Sequence, residues 1–189
     1  MVDLGSMVST RSSRANAISA DGQVIVGWSD QATGFRQGAR WVDGGRQWFA
    51  MDRTAPVGEA LAVNGDGSIV VGYGCGSANQ YAWRWTEETG VECIQGTVAN
   101  PYQTLMLALS DDGQVIGGAV APDFGPERKA LLWFNGEPVD LREYLLTHGA
   151  EVKGWDLQSV LAVSSDGHTV AGWGVGPDLR IHAFIVTLP

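Results

Sequence analysis

One short pattern occurs four times in this chain. The segments AISADGQVIVGW (17–28), AVNGDGSIVVGY (62–73), ALSDDGQVIGGA (108–119) and AVSSDGHTVAGW (162–173) align without gaps. Each carries an Asp-Gly pair, Asp21-Gly22, Asp66-Gly67, Asp112-Gly113 and Asp166-Gly167, at intervals of about 45 to 55 residues. A repeat of that length cannot bury its apolar face alone and must stack on its neighbours. The chain is therefore an array of one supersecondary unit.

Asp-Gly between two apolar runs predicts a hairpin, and a type I′ turn there requires positive φ at both central residues. Strand a precedes the turn and strand b follows it. Strand b is almost continuously apolar, as in Val24-Ile25-Val26 and Ile69-Val70-Val71. Such a run predicts burial on both faces of the sheet, which a blade between two neighbours requires. The glycine after each run (Gly27, Gly72, Gly118, Gly172) predicts a bulge or a close backbone approach. Strand c comes next, as GARW (38–41), AWRW (82–85), ALLW (130–133) and AFIV (183–186). Strand d follows the first three, as RQWFAMD (46–52), GVECIQ (90–95) and EPVDLREYL (137–145). In the last of these, Leu141, Tyr144 and Leu145 at helical spacing and Gly149 as a C-cap predict a short helix after the strand.

The chain opens with Val2-Asp3-Leu4-Gly5, matching Val139-Asp140-Leu141 of the third strand d, and it closes on a strand c. The expected fold is thus all-β: a β-propeller of four four-stranded blades in a single domain, 1–189. The repeats fall at approximately 8–52, 53–98, 99–146 and 147–189, and strand 1–7 closes the ring by pairing with the last blade. Closure removes an exposed edge. Two chains sharing an eight-blade ring satisfy the same pattern, so a monomer and a ring-sharing dimer both remain open.

His182-Ala183-Phe184, the DG-x-x-V-x-G strands and the Val-Asp-Leu-Gly start resemble the bacterial HAF repeat, and so does the tail LREYLLTHGAEVKGW with its last repeat. The resemblance covers essentially the whole chain. The first three repeats depart from it, with Gly38-Ala39, Ala82-Trp83 and Ala130-Leu131 at the His-Ala-Phe position. It implies an extracellular or periplasmic, propeller-like repeat protein and carries no established activity.

Charge narrows the partners. The formal net charge is -9 with 12 Lys plus Arg, so nucleic acid, which demands a basic face, is set aside. No run of 18 apolar residues forms a membrane span, and no signal sequence stands at the N-terminus. His148, His168 and His182 fall in different repeats without metal spacing, and the turn aspartates lack the clustered carboxylates that calcium needs. No metal or cofactor is expected. No nucleophile elbow or phosphate loop is present. Glu59, Glu87, Glu88 and Glu92 are acid–base candidates without a pattern that selects a pair. Strands b and d flank strand c, a separation of roughly 9 to 10 Å, too wide for a disulfide between Cys75 and Cys93 unless the chain after Gly74 folds over.

The b–c loops (29–36, 74–80, 121–128 and 174–180) and the d–a insertion (147–155) share one face, opposite the short Asp-Gly turns. Loops on a rigid scaffold are where function concentrates. Arg36, Gln80, Arg128 and Arg180 at the loop ends, and Trp155 as an exposed ring for a sugar, are the candidate ligand-binding residues. No catalytic residue is singled out. The reading is a secreted or cell-surface binding or scaffold module whose loop-rich face takes a protein or glycan. The alternative is a carbohydrate-active hydrolase or lyase with its site at the central cavity.

Overall fold

A computed structural model describes the whole chain except residues 52–54, 77–80, 95–101 and 123–127. Its contacts group into two compact units, Met1–Ile94 and Gln95–Pro189. In the first unit, β1 (Ser13–Ile18), β2 (Val24–Asp30), β3 (Arg36–Val42) and β4 (Gly45–Trp48) form one antiparallel meander. A two-stranded ladder of β5 (Ala50–Met51) and β6 (Ala55–Pro56) leads to a second meander: β7 (Ala60–Val63), β8 (Ile69–Cys75), β9 (Tyr81–Thr86) and β10 (Gly90–Ile94). In the second unit, β11 (Tyr102–Leu109), β12 (Val115–Pro122), β13 (Lys129–Phe134) and β14 (Glu137–Asp140) form a third meander. There follow α1 (Leu141–Thr147) and a three-stranded sheet of β15 (Asp156–Val163), β16 (Thr169–Val175) and β17 (Ile181–Thr187). The a-b-c-d order read from the repeats is realised in three sheets, and the last holds a, b and c.

The Asp-Gly turns differ from the expected type I′. Gly22, Gly67, Gly113 and Gly167 have positive φ, but the aspartates before them do not. The reason is side-chain chemistry. The Gly22 N–H donates to the Ser19 carbonyl (3.0 Å), and the Ser19 hydroxyl donates to Asp21 Oδ1 (2.6 Å). The N–H of Gln23 also donates to Asp21 Oδ1, and that of Val24 to Ser19 Oγ, both at 2.9 Å. Ser110-Asp112 and Ser164-Asp166 repeat this network, and Asn64 stands in for the serine in the second repeat. An Asx-type network of this kind favours a longer turn with a negative φ at the aspartate. True type I′ geometry occurs elsewhere, in the c–d hairpins: Asp43-Gly44 (φ 51 and 73) and Asn135-Gly136 (φ 51 and 87).

The glycine after strand b behaves as expected. A Cβ on Gly27 would lie 1.9 Å from the Arg14 carbonyl oxygen, and one on Gly72 would lie 2.1 Å from that of Glu59. Gly118 and Gly172 meet Leu105 and Ser159 in the same way. Opposite each, strand a carries a register shift, at Ala15/Ala17, Ala60/Ala62, Met106/Ala108 and Val160/Ala162. The bulge pushes one carbonyl of strand a towards strand b, and only hydrogen fits there. Arg14, Glu59, Leu105 and Ser159 thus occupy one structural position in successive repeats.

Strand b is buried as its composition demands: Val26, Val70 and Val71 are each 0% exposed. Val26, Phe49, Val57, Val70 and Trp83 centre the core of the first unit, and Leu132, Leu141, Leu145, Val160 and Val170 that of the second. The short helix forms as read, with Asp140 capping its N-terminus and Gly149 (φ 80) just past its C-cap His148.

One expectation is corrected and one open question is answered. The first concerns residues 1–7, which form no strand. Asp3 Oδ1 accepts from the Gly5 N–H at 2.8 Å, and Gly5 has φ 66, so the segment curls. Arg46 holds it by donating to the Leu4 and Ser6 carbonyls, while Trp41 Nε1 donates to the Gly5 carbonyl. Asp140 accepts from the Arg142 N–H at 2.9 Å in the same way. The shared Val-Asp-Leu therefore encodes an Asx turn, and the sheet of β15 to β17 takes no fourth strand from residues 1–7. The second concerns Cys75 and Cys93, which form a disulfide with a Cα–Cα distance of 5.7 Å. Gly74, at φ 90, bulges β8 against β9 and displaces Cys75, so the regular strand spacing no longer applies.

Candidate functional site

Position for position, the bulge residue of strand a is Arg14 in the first repeat and Glu59 in the second. The two meet. Glu59 is 4% exposed, and its carboxylate bridges two arginines: Arg14 Nη2 at 2.9 Å and Arg36 Nη1 at 2.5 Å. Arg36 opens β3, and Arg14 lies near the start of β1. Both guanidinium groups lie over the Trp28 ring, at 4.3 Å for Arg36 and 5.5 Å for Arg14. Arg14 also donates through Nε to Asn16 Oδ1, and Asn16 Nδ2 donates to the Ala60 carbonyl. Trp28 is buried, and its Nε1 has no hydrogen-bond partner among the described residues.

The arrangement has a clear electrostatic logic. A buried carboxylate is costly unless paired and hydrogen-bonded, and two guanidinium forks satisfy it. The hydrogen bond to Glu59 raises the Arg36 pKa above its ordinary value. Burial, followed by the Glu59 charge, pushes the half-buried Tyr73 phenol up, so Tyr73 stays neutral. The side chains of Arg14 and Arg36 remain 55% and 53% exposed, so each keeps part of its fork open to solvent. Glu59 offsets one of the two positive charges directly, and Asp30, opposite Arg36 across β2 and β3, acts on Arg36 more weakly. The cluster can hold an anionic oxygen group against a pre-ordered guanidinium pair.

These residues converge at the strand ends where the b–c and d–a connections emerge. That is the face singled out from the repeat order. Of the candidates named from sequence, Arg36 belongs to the cluster. Gln80 lies outside the described residues. In the second unit, Arg128 is half-buried just ahead of β13, and Arg180 is an exposed turn residue whose N–H donates to Asp178 Oδ1 at 3.1 Å. Trp155 is not an exposed platform. It is half-buried, packs against the core of the second unit, and sets its ring edge-on to His182 at 6.0 Å. His182 Nε2 lies 2.9 Å from Asp178 Oδ1 in the β16–β17 hairpin, and this contact holds the Asp178 carboxyl below its ordinary pKa. That pair is about half exposed and serves the turn.

Arg14, Trp28 and Tyr73 escaped the sequence reading as site residues, and Glu59 stood there only as one of four acid–base candidates. A signal was present: where the third repeat has apolar Leu105, the first two place opposite charges.

No protein-family model matches the chain, and no curated protein matches it. Solved structures do resemble it. TolB from Acinetobacter baumannii matches with a TM-score of 0.58 at 13% identity, over 96% of this chain and 42% of that one. A putative TolB from Agrobacterium tumefaciens matches with a TM-score of 0.56 at 14% identity, over 94% of this chain and 59% of that one. The fold is β-propeller-like. At these identities the likeness concerns the fold alone, and the chain spans about half the length of the propeller proteins it matches.

Proposed function

We propose that this chain is a propeller-type binding or scaffold module of the HAF-repeat kind, working in an oxidising compartment outside the cytoplasm. It recognises an anionic group, carried by a protein or glycan ligand, through Arg14 and Arg36. One observation carries the reading: buried Glu59 holds two half-exposed guanidinium groups over Trp28 on the face where the loops emerge. Neutralising Glu59 requires no more than one cation, so the second is available to a ligand. The Cys75–Cys93 disulfide supports the compartment, because disulfides persist where glutathione does not reduce them. Among the described residues no helix is long and apolar enough to cross a membrane.

The test is a calorimetric titration with oligogalacturonate and a poly-glutamate peptide as anionic probes and dextran as the neutral one. The wild type binds at least one anionic probe in a salt-sensitive manner and does not bind dextran. Arg36→Lys, which keeps the charge but loses the fork, weakens binding about tenfold, the scale of one charge-assisted hydrogen bond. Equal or salt-independent binding of the three probes would sink the proposal.

A further inference from the structure

Three sulfur atoms meet in the first unit. Cys75 of β8 and Cys93 of β10 form the disulfide, and the thioether of Met51, on β5, lies against both. Met51 Sδ is 3.1 Å from Cys93 Sγ and 3.5 Å from Cys75 Sγ. Cys75 is 0% exposed and packs with Phe49, Val57 and Trp83, and Met51 packs against the same cluster. Cys93 is exposed on β10, the outer strand of its sheet. We propose that reduction of this bridge opens a soft-metal site, in which the two cysteine thiolates and the Met51 thioether hold one Cu(I).

The donor set selects the ion. Thiolate and thioether sulfur are soft ligands, and among biological metals they favour Cu(I). Structural zinc takes four ligands from thiolate, imidazole and carboxylate, and a thioether is not among them. No imidazole stands in the first unit, since His148, His168 and His182 all belong to the second. A metal–sulfur bond of about 2.3 Å puts the corners of a trigonal three-sulfur site about 4 Å apart. Both Met51 contacts fall within about 1 Å of that spacing. Cys93, on an outer strand, supplies the remaining adjustment by turning its side chain once the bridge is open. The apolar wall of Phe49, Val57 and Trp83 limits the access of water to the metal.

Access to the site is redox-gated, and the reductant is a dithiol. One of its thiolates attacks Cys93 Sγ at the exposed end of the bridge. The protein S–S bond breaks, and Cys75 leaves as a thiolate. The second thiolate of the reductant then attacks its own partner sulfur in the mixed disulfide and releases Cys93. Two electrons pass to the protein, the reductant ends as a disulfide, and both cysteines take up protons. Cu(I) displaces those two protons to water as it binds. No electron moves in that step, so the metal stays Cu(I).

The test uses the full chain, reduced with dithiothreitol and freed of it under argon, with bicinchoninate as the competing Cu(I) chelator. The reduced protein takes one equivalent of Cu(I) from the chelator, and the oxidised protein takes none. X-ray absorption at the copper edge finds three sulfur neighbours at about 2.3 Å. Cu(I) also raises the urea midpoint of the reduced protein, because it binds the folded site. Met51→Leu keeps the side-chain volume and removes the ligand, so it weakens Cu(I) about tenfold or more and leaves two sulfur neighbours. The sulfur count in the wild type keeps the proposal falsifiable if Met51→Leu fails to fold. The inference is overturned if the oxidised protein binds Cu(I) equally well, if the wild type shows only two sulfur neighbours, or if Met51→Leu keeps full affinity.

Discussion

Removing Arg14 and Arg36 together destabilises the protein more than removing Glu59, although the same two ion pairs are lost in each case. The difference lies in what is left behind. With both arginines replaced by alanine, Glu59 stays buried, with its side chain 5% exposed and no cation beside it. A stranded buried charge costs about 3–5 kcal/mol. With Glu59 replaced by alanine, each guanidinium is already more than half in water and turns outward, so solvent screening reduces the loss to about 1–2 kcal/mol. For a chain of this size each kcal/mol moves the melting temperature by roughly 2–4 °C. The double variant should therefore melt about 10 °C lower, and Glu59→Ala only a few degrees lower. Adding Glu59→Gln to the double variant removes the stranded charge and recovers about 2 kcal/mol of the loss. Urea unfolding of the four proteins measures these differences. Equal losses from both sides of the pair, or no recovery from Glu59→Gln, would refute the claim that a buried carboxylate organises the site.

Reducing the Cys75–Cys93 bridge frees a loop of sequence separation 18 and should lower stability by about 3 kcal/mol; an unchanged urea midpoint in dithiothreitol rules this out. Gly72→Ala drives a methyl group to 2.1 Å from a backbone oxygen and should cost about 3 kcal/mol, whereas Gly22→Ala enters open space, pays only for its φ of 75, and should cost about 1 kcal/mol by the same assay. Asp21, Asp112 and Asp166 have pKa values lowered chiefly by their serine hydroxyls. A folded pKa below the unfolded one means that these turns stabilise fully above the ordinary carboxylate range and lose that contribution as pH falls through the folded value. Replacing Ser19, Ser110 and Ser164 by alanine should therefore flatten the acid limb of a stability–pH curve, and an unchanged limb counts against the turn network.

Much of the architecture was legible because it depends on local pattern. The four Asp-Gly segments located every a–b hairpin, the apolar runs located the buried strands, and the glycines after them located the bulges. Two readings went astray, and a third question stayed open, where short-range local chemistry outweighed pattern. Ser19 and its counterparts drew the aspartates into an Asx network, so the I′ turns fell at Asp43-Gly44 and Asn135-Gly136 instead. Asp3 curled Val2-Asp3-Leu4 away from strand geometry. Gly74 bent β8 and brought Cys75 to Cys93. Trp155, read as exposed because it interrupts the repeat, has its ring against the core.

The amino-acid sequence by itself determined the repeat, the order of strands within each blade and the places where only glycine fits. Those properties follow from hydrophobic period and backbone sterics, which act over a few residues. Only the tertiary structure decided that Arg14 and Glu59, at one position in successive repeats, would meet around a shared charge, and that Phe49 would set its ring against Trp83 and Trp85. Both depend on how neighbouring sheets stack. Residues 45 positions apart, by the Arg14–Glu59 hydrogen bond, become neighbours only once that stacking exists.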